Sequence, residues 1–188
     1  MKRKRILVIK LSELGDVILR VPSIRALRET YPSAWISVLV GRKSRSIIRN
    51  CPYVDDVIVQ EESAKRNPLS LIRLARLLAK EDYDVVVDFQ NNRASHFLSY
   101  FSGAFIRAGH ANHKWSFFLN RKAHGDFSGL APLDHQLEVL KLLDVVPTEK
   151  KLELCTEKEE VKKIESFLES QWVSPSQILV GINPGSSA

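Results

Sequence analysis

The chain has 188 residues, of which 44% are hydrophobic and 27% charged, as in a globular protein with a core for one ordinary domain. No apolar run approaches the roughly 20 residues that cross a bilayer, and the basic start lacks the apolar segment of a signal peptide, so a cytoplasmic protein is predicted. The net charge of +6 is unevenly spread: residues 1–125 contain 22 Lys and Arg against 11 Asp and Glu, whereas residues 126–188 contain 6 against 11. The basic first part predicts a polyanionic partner. The alternative is that its basic residues only form solvated helix faces.

Short β-rich runs alternate with helical segments. The first run, RILVIKL, is apolar at nearly every position, as in a strand buried on both faces, and AWISVLV, DDVIVQ, YDVVVDF and AFIRAGH follow. A helix is predicted after the first strand, with a kink or restart near Pro22, and Asn67 with Pro68 predicts the start of another. This alternation predicts an α/β fold with a Rossmann-like, doubly wound, mostly parallel sheet.

The last stretch, SQILVGINPGSSA, predicts a further buried strand that runs into a Gly-Ser turn. A parallel strand needs a crossover connection, but the sequence stops at Ala188. We therefore expect residues 1–170 to form one domain. Residues 171–188 are expected to form a linker and the first strand of a second, truncated domain, with that strand outside the first sheet.

The first strand runs into its helix through a loop with a single glycine, Gly15, followed by Asp16. An NAD(P) oxidoreductase would place G-x-G-x-x-G there, so the residues argue against that class. Gly15 allows a positive φ or a close approach of the backbone to a ligand. From its spacing alone, Asp16 is best interpreted as a charge that complements the start of a helix.

Polar side chains follow the first strand and the DVVVDF strand, at the edge where open α/β sheets bind ligands. Lys10 and Ser12 follow the first strand, although Lys10 fits a strand-end lysine that reaches solvent equally well. After the later strand come Asp88, Gln90, Asn92 and Arg93. Amide and guanidinium groups suit the hydroxyls and phosphates of an acidic sugar, and Asp88 alternatively caps the following helix.

The cysteines and histidines do not predict a metal site. Cys51 and Cys155 lack metal-ligand spacing and are interpreted as reduced structural thiols. His110, His113 and His124 lie in one stretch, but no cysteine or carboxylate completes a site between the first two. The same stretch mixes basic and aromatic residues, which fits a lipid-linked anionic acceptor at a membrane or a packed aromatic helix with a solvated edge.

Several stretches resemble the bacterial ADP-heptose:lipopolysaccharide heptosyltransferases, family 9 glycosyltransferases with the two-domain GT-B fold. They are ILVIKLSELGDVILRVPSIRALRETYPSAWISVLV, NCPYVDDVIV, DVVVDFQNNRAS, SGAFIRAGH and GINPGSS. The resemblance covers essentially the whole chain and departs at Glu13, where a small residue is common. It implies an inverting enzyme, without a cofactor, that moves a heptose from ADP-heptose to the inner core of lipopolysaccharide.

The resemblance also implies roles for individual residues. Asp16 becomes the catalytic base that takes a proton from the acceptor hydroxyl. The implied acceptor-binding residues are Lys10, Ser12, Gly15, Asp88, Gln90, Asn92, Arg93 and His135. For His135, which matches a family histidine, acceptor contact and helix capping both stay open. The implied donor-binding loop is Pro184, Gly185, Ser186 and Ser187, whose amides and hydroxyls suit a diphosphate.

The implied partners are an ADP-sugar, an anionic lipid-linked glycan and the cytoplasmic face of the inner membrane. The family's basic residue at the diphosphate would follow Ala188, so this fragment is expected to be inactive alone. The alternative from charge alone is a nucleic-acid-binding α/β domain that uses the basic part. No recognised RNA- or DNA-binding motif supports it, and the resemblance implies no nucleic acid.

Overall fold

The computed structural model describes residues 2–61, 67–174, 176–182 and 185. By its internal contacts the chain divides into two compact units, Met1–Cys155 and Thr156–Ala188. The sequence placed a boundary near residue 170. The assignment of the two parts to an acceptor domain and a donor domain stays a prediction.

The first unit is built on one sheet of six strands in the order β3-β2-β1-β4-β5-β6. The strands are β1 (Arg5–Lys10), β2 (Trp35–Gly41), β3 (Asp56–Gln60), β4 (Val85–Asp88), β5 (Ile106–His110) and β6 (Arg121–Ala123). Every neighbouring pair is parallel, so the predicted doubly wound sheet is confirmed and is parallel throughout its described strands. Strand β6 was not predicted, because its three residues are too few and too polar to form a recognisable pattern.

Helices follow most strands. They are α1 (Leu14–Ile18), α2 (Val21–Thr30), α3 (Arg45–Ile48), α4 (Pro68–Lys80), α5 (Arg93–Phe101) and α6 (Pro132–Lys141) in the first unit, and α7 (Lys158–Ser170) in the second. The predicted restart near Pro22 is confirmed, because the proline lies in the first turn of α2, where its missing N–H is not needed. The predicted cap of α4 is also confirmed, since the Asn67 side chain accepts the Leu69 N–H at 2.9 Å.

Both faces of β1 are buried. Ile6 and Val8 pack on one face with residues of α2 and α6, and Leu7 and Ile9 pack on the other with residues of α4 and α5. All four side chains are inaccessible to solvent, and burial of each contributes on the order of 2 kcal/mol. The uninterrupted apolar run in the sequence is therefore the signature of a strand that is covered twice.

The sheet reverses its strand order between β1 and β4, which are paired with Ile9 opposite Asp88. From β1 the chain winds towards β2 and β3, and from β4 it winds the other way towards β5. Open α/β sheets bind their ligands in the crevice at the carboxyl ends of such strands. The fold therefore directs attention to the residues that end β1, β4 and β5.

Residues 178–182 differ from the prediction of a buried strand. No strand is assigned to them, and Ile178 and Ile182 are 93% and 84% exposed. An apolar extended segment becomes a strand only when a neighbour completes its hydrogen bonds, and no described residue pairs with this one. No helix in the described part of the chain is long and apolar enough to cross a membrane.

Strand β5 approaches β4 so closely at Gly109 that a side chain there would be crowded. A Cβ would lie 2.7 Å from the buried Leu119 Cδ1 and 3.2 Å from the Asp88 carbonyl oxygen. We expect Gly109→Ala to lower the free energy of unfolding by about 1–3 kcal/mol through overpacking, measured by urea denaturation. Gly129→Ala is the control, because its Cβ would meet no heavy atom within 4 Å. Equal stability of the two variants would contradict the crowding.

Candidate active site

An ion pair lies at the carboxyl end of β1. The Lys10 Nζ is 3.3 Å from Oδ2 of Asp16, which lies in the first turn of α1. The Lys10 side chain is only 8% exposed, whereas 43% of the Asp16 side chain is exposed. Lys10 is thus a buried cation of the strand edge and not a lysine that reaches solvent, and Asp16 is the member of the pair that a ligand can touch.

The surroundings of Asp16 favour its ionised form. Its partial burial acts to raise the pKa, but the charge of Lys10, the neighbouring Ser12 side chain and the Arg20 charge together hold the pKa below its ordinary value. The carboxylate is therefore ready to accept a proton at neutral pH, with reduced basicity. Burial is the main cause that lowers the pKa of Lys10, and Asp16 opposes it.

Gln90 connects the loop after β4 to the loop after β1. Its Oε1 accepts the Leu11 N–H at 2.8 Å and the Ser12 hydroxyl at 2.7 Å. The backbone N–H of Gln90 in turn donates to Oδ1 of Asp88 at 2.9 Å. Two predicted residues, Ser12 and Gln90, are thus brought together, and the end of β4 fixes the position of the loop that leads to Asp16.

Asp88 was predicted to bind an acceptor or to cap a helix, and the structure shows neither. Its side chain is completely buried, and Oδ1 also accepts the N–H of Asn91, which has a positive φ of 54°. Oδ2 lies 2.9 Å from Nδ1 of the equally buried His96. A short carboxylate after a strand hydrogen-bonds the backbone just beyond it, so Asp88 holds the turn and has no surface for an acceptor.

Asn92 and Arg93 make their contacts with residues other than the Lys10–Asp16 ion pair. Asn92 is the N-cap of α5: its Oδ1 accepts the Ser95 N–H at 2.9 Å, and Ser95 Oγ accepts the Asn92 N–H. The exposed Arg93 guanidinium lies 4.8 Å above the Trp115 ring, beside an apolar groove of about 620 Å³ lined also by Phe97. Asn92 therefore has a structural task, and Arg93 belongs to the groove.

Gly15 lies within α1 and has no positive φ, so the first of the two interpretations of this glycine is wrong. A Cβ at this position would meet no heavy atom within 4 Å. The alternative explanation, an open space that a ligand can approach next to Asp16, stays a prediction.

A pair of stacked histidines closes the same edge of the sheet. His110 ends β5, and its ring lies 3.9 Å from the ring of His135, with Phe127 packed edge-on against both. His135 is within α6, whose N-cap is Ala131, so it does not cap the helix. Burial chiefly, and then repulsion by His135, lower the pKa of His110 to about 4.

The three histidines of one sequence stretch go to different places. His113 packs against His96 with ring centroids 5.3 Å apart, His110 packs against His135, and His124 is exposed. Over the residues that the structure describes, no three His, Cys, Asp or Glu side chains are grouped as metal ligands.

Arg20 is a residue of this site that the sequence reasoning missed. It lies between α1 and α2, is 8% exposed, and places its guanidinium 5.9 Å from the Phe89 ring. Its buried Nε and Nη1 have no hydrogen-bond acceptor among the described residues. Burial lowers the pKa of Arg20 to about 10, against the opposing effect of Asp16. Its spacing of four residues from Asp16 was the available signal, since such a pair shares one side of a helix.

We call these residues the strand-edge cluster: Lys10, Asp16, Arg20, His110 and His135. The Arg20 charge acts electrostatically on each of the other four. Of the predicted donor loop, Pro184, Ser186 and Ser187 lie outside the described residues, and Gly185 alone is described. The donor assignment therefore stays a prediction.

Comparisons with known proteins find the same fold in glycosyltransferases. A family 9 glycosyl transferase from Veillonella parvula is 28% identical with a TM-score of 0.88, over 98% of this chain and 55% of that protein. Escherichia coli ADP-heptose LPS heptosyltransferase II has a TM-score of 0.70 at 21% identity, over 91% of this chain and 51% of that one. Escherichia coli heptosyltransferase WaaC, solved with ADP-2-deoxy-2-fluoro heptose, has a TM-score of 0.65 at 20% identity, over 79% and 51%. The two Escherichia coli enzymes are evidence for the fold alone.

Among curated proteins, a Haemophilus influenzae protein provisionally designated a glycosyltransferase is 29% identical over 112 residues, which are 60% of this chain and 32% of that protein. No family model matches the chain. The chain thus spans between about a third and about half the length of these relatives.

Fold and site together define a Rossmann-like α/β domain with a charged cluster at its strand edge. The particular resemblance predicted from the sequence, to the family 9 glycosyltransferases, is confirmed by these comparisons.

The lowered pKa of His110 makes stability depend on pH. Between the unfolded pKa of about 6.5 and the folded pKa of about 4, the unfolded chain binds a proton that the folded one does not. The free energy of unfolding should therefore fall by up to about 3 kcal/mol as the pH drops through this window. Urea denaturation at pH 7.5 to 4.5 measures it, and His110→Phe, which keeps the ring stack, should remove this share. His135 remains in both proteins and acts in the same direction. Parallel pH curves would contradict the assignment.

Proposed function

We propose that this chain carries the acceptor-side site of an inverting glycosyltransferase that moves a heptose from ADP-heptose to the inner core of lipopolysaccharide. The observation that carries the proposal is Asp16, a half-exposed carboxylate whose pKa is held low, near the carboxyl end of β1. The likeness to a family 9 glycosyl transferase supports glycosyl transfer, and the donor is proposed by analogy with the heptosyltransferase that was solved with ADP-2-deoxy-2-fluoro heptose and shares this fold.

The reaction proposed here needs one base and a stabilised leaving group. The acceptor hydroxyl oxygen forms a bond to the anomeric carbon while the bond from that carbon to the ADP oxygen breaks, which inverts the carbon. The hydroxyl proton passes to the Asp16 carboxylate, and ADP carries away the negative charge. A hydrolysing glycosidase needs a second carboxylate as acid, whereas a diphosphate leaves without protonation once its charge is stabilised.

The reduced basicity of Asp16 is compatible with this role. Proton transfer can come late, when attack on the anomeric carbon has already made the hydroxyl more acidic. Lys10 holds the carboxylate in place, and Ser12, fixed by Gln90, borders the same loop. We propose that these residues and the open space at Gly15 receive the acceptor sugar.

The donor and the membrane complete the proposal. In the loop of Pro184, Gly185, Ser186 and Ser187, the backbone N–H groups after the proline and the two serine hydroxyls would bind the diphosphate. The basic balance of residues 1–125, with the exposed rings of Phe105 and Phe117, supports a lipid-linked anionic acceptor and a peripheral contact with the cytoplasmic face of the inner membrane.

Asp16→Asn tests the base directly. The amide cannot take the proton, so kcat in the full-length protein should fall roughly 10²–10⁴-fold with ADP-heptose and inner-core acceptor. The amide oxygen can still accept a hydrogen bond from Lys10, but the buried ammonium loses its counter-charge, so the melting temperature should fall while the protein stays folded.

Glu13→Gln is the matched control, because Glu13 is an exposed carboxylate three residues earlier, at the N-cap of the same helix, with no capping hydrogen bond. Its kcat should equal that of the parent protein. Turnover of Asp16→Asn within a few-fold of the parent would remove Asp16 as the base.

A further inference from the structure

Arg20 is a buried cation whose hydrogen-bonding groups are not used by the fold. Two of its three guanidinium nitrogens, Nε and Nη1, are buried without an acceptor among the described residues, although the side chain is 92% buried. The nearby ring of Phe89, at 5.9 Å, offers a weak cation–π contact, which does not replace hydrogen bonds. Such groups destabilise the folded state when they stay unpaired, so they indicate a ligand that arrives later.

His110 shows the same feature in the same cluster. Both of its ring nitrogens are buried and have no partner in the described part of the chain, and the residue is 2% exposed. The Arg20 charge acts on His110, and the two residues together contribute four buried polar atoms without a partner to the strand-edge cluster. An ordinary structural cluster would satisfy these atoms within the protein.

The carboxylates near the cluster do not supply the missing partner. The Asp16 carboxylate is paired with the Lys10 ammonium at 3.3 Å, and 43% of its side chain is exposed. The Asp88 charge acts on Lys10 and His110, but its oxygens already accept two backbone N–H groups and lie beside His96. An additional oxyanion is what the geometry lacks.

We infer that Arg20, with His110 beside it, binds an oxyanion of the acceptor sugar, a carboxylate or a phosphate, next to the hydroxyl that Asp16 deprotonates. This inference rests on the proposed function and adds a specificity-determining residue to it. A guanidinium with free N–H groups matches an oxyanion in geometry and charge. An anion held by Arg20 would lie close to Asp16, because Arg20 directly follows the short helix that carries Asp16.

The contrast with Arg25 provides a matched control. Arg25 is equally buried, at 8% exposed, but its guanidinium donates to the Glu153 carboxylate at 2.8 Å and to the carbonyls of Glu149 and Lys151 at 2.9 and 3.2 Å. Both arginines are replaced by methionine, which has a similar length and no charge. Arg25→Met should lower the melting temperature and leave the acceptor KM unchanged, because its partners are structural.

Arg20→Met should behave in the opposite way. Removal of a buried, unpaired charge should leave the melting temperature unchanged or raise it. The KM for the inner-core oligosaccharide should rise roughly 10–100-fold, the range expected for loss of a charge-assisted hydrogen bond, with the KM for ADP-heptose unchanged. A fall in melting temperature as large as that of Arg25→Met, with an unchanged acceptor KM, would overturn the inference.

Three acceptor probes identify the oxyanion: the native oligosaccharide, the same molecule with its carboxylates reduced to alcohols, and a dephosphorylated form. In the parent protein, one of the two modifications should raise the acceptor KM by the factor that Arg20→Met causes. The same modification should have no further effect in Arg20→Met, since the two changes remove one interaction. An acceptor oxyanion at Arg20 would be contradicted if Arg20→Met and the acceptor modification raised the acceptor KM independently, so that their factors multiply. An increase in the donor KM in place of the acceptor KM would contradict it as well.

The test separates this inference from the proposed function. If the full-length protein transfers no heptose, the function is wrong, and anion binding is then measured by calorimetry with inorganic phosphate and with acetate. Binding that is present in the parent and in Arg25→Met but absent in Arg20→Met would support the oxyanion site without the reaction. Absence of binding in the parent protein would overturn it.

Discussion

The parallel pairing of β1 with both β2 and β4 is the constraint on which the site depends. Because both faces of β1 are also covered, residues Ile6 to Ile9 have no exposed surface, and beyond them the next polar residue comes at the carboxyl end of the strand. Lys10 is the first such residue and is therefore a buried cation. A buried ammonium needs a nearby counter-charge, which Asp16 supplies from the first turn of α1. The placement of the proposed base follows from the burial of a strand.

The residues predicted at this edge divide by the length and flexibility of their side chains. Short side chains directly after a strand or before a helix, Asp88 and Asn92, hydrogen-bond their own backbone, and so they shape the turn and the start of α5. The longer Gln90 reaches across to the loop of β1 and joins two strand ends. The polar cluster therefore contains its own support, in which Asp88 orders Gln90 and Gln90 orders Ser12. Such a chain of contacts holds the loop next to Asp16 in one position before any substrate binds.

The sequence predicted five of the six strands, the doubly wound parallel sheet and the strand edge, because these depend on local periodicity and on a general rule of α/β topology. It did not determine which polar residues are buried. Arg20 lies in a helical pattern like any surface arginine, and only the packing of Phe89 and of the neighbouring elements encloses it. His110 needs His135, which is 25 residues further along the chain, before its burial becomes visible. The prediction of a strand at residues 178–182 was wrong for a related reason, because a strand forms only where a second strand completes its hydrogen bonds.

The strand-edge cluster contains groups that destabilise the folded state, and the hydrophobic core beneath it compensates for that loss. Lys10, Arg20 and His110 are all at least nine-tenths buried, and the pKa of each is lowered, chiefly by burial. A lowered pKa of a basic group means that folding disfavours its charged form. The cluster therefore destabilises the folded protein when no ligand is bound. The doubly covered sheet beneath it supplies the compensating stability through its buried apolar side chains. A fold that contained Arg20 only for its own stability would pair it, as it pairs Arg25 with Glu153. An unpaired guanidinium near an ionised carboxylate is instead what the proposed site requires, because that site must hold an anionic acceptor and take a proton from it.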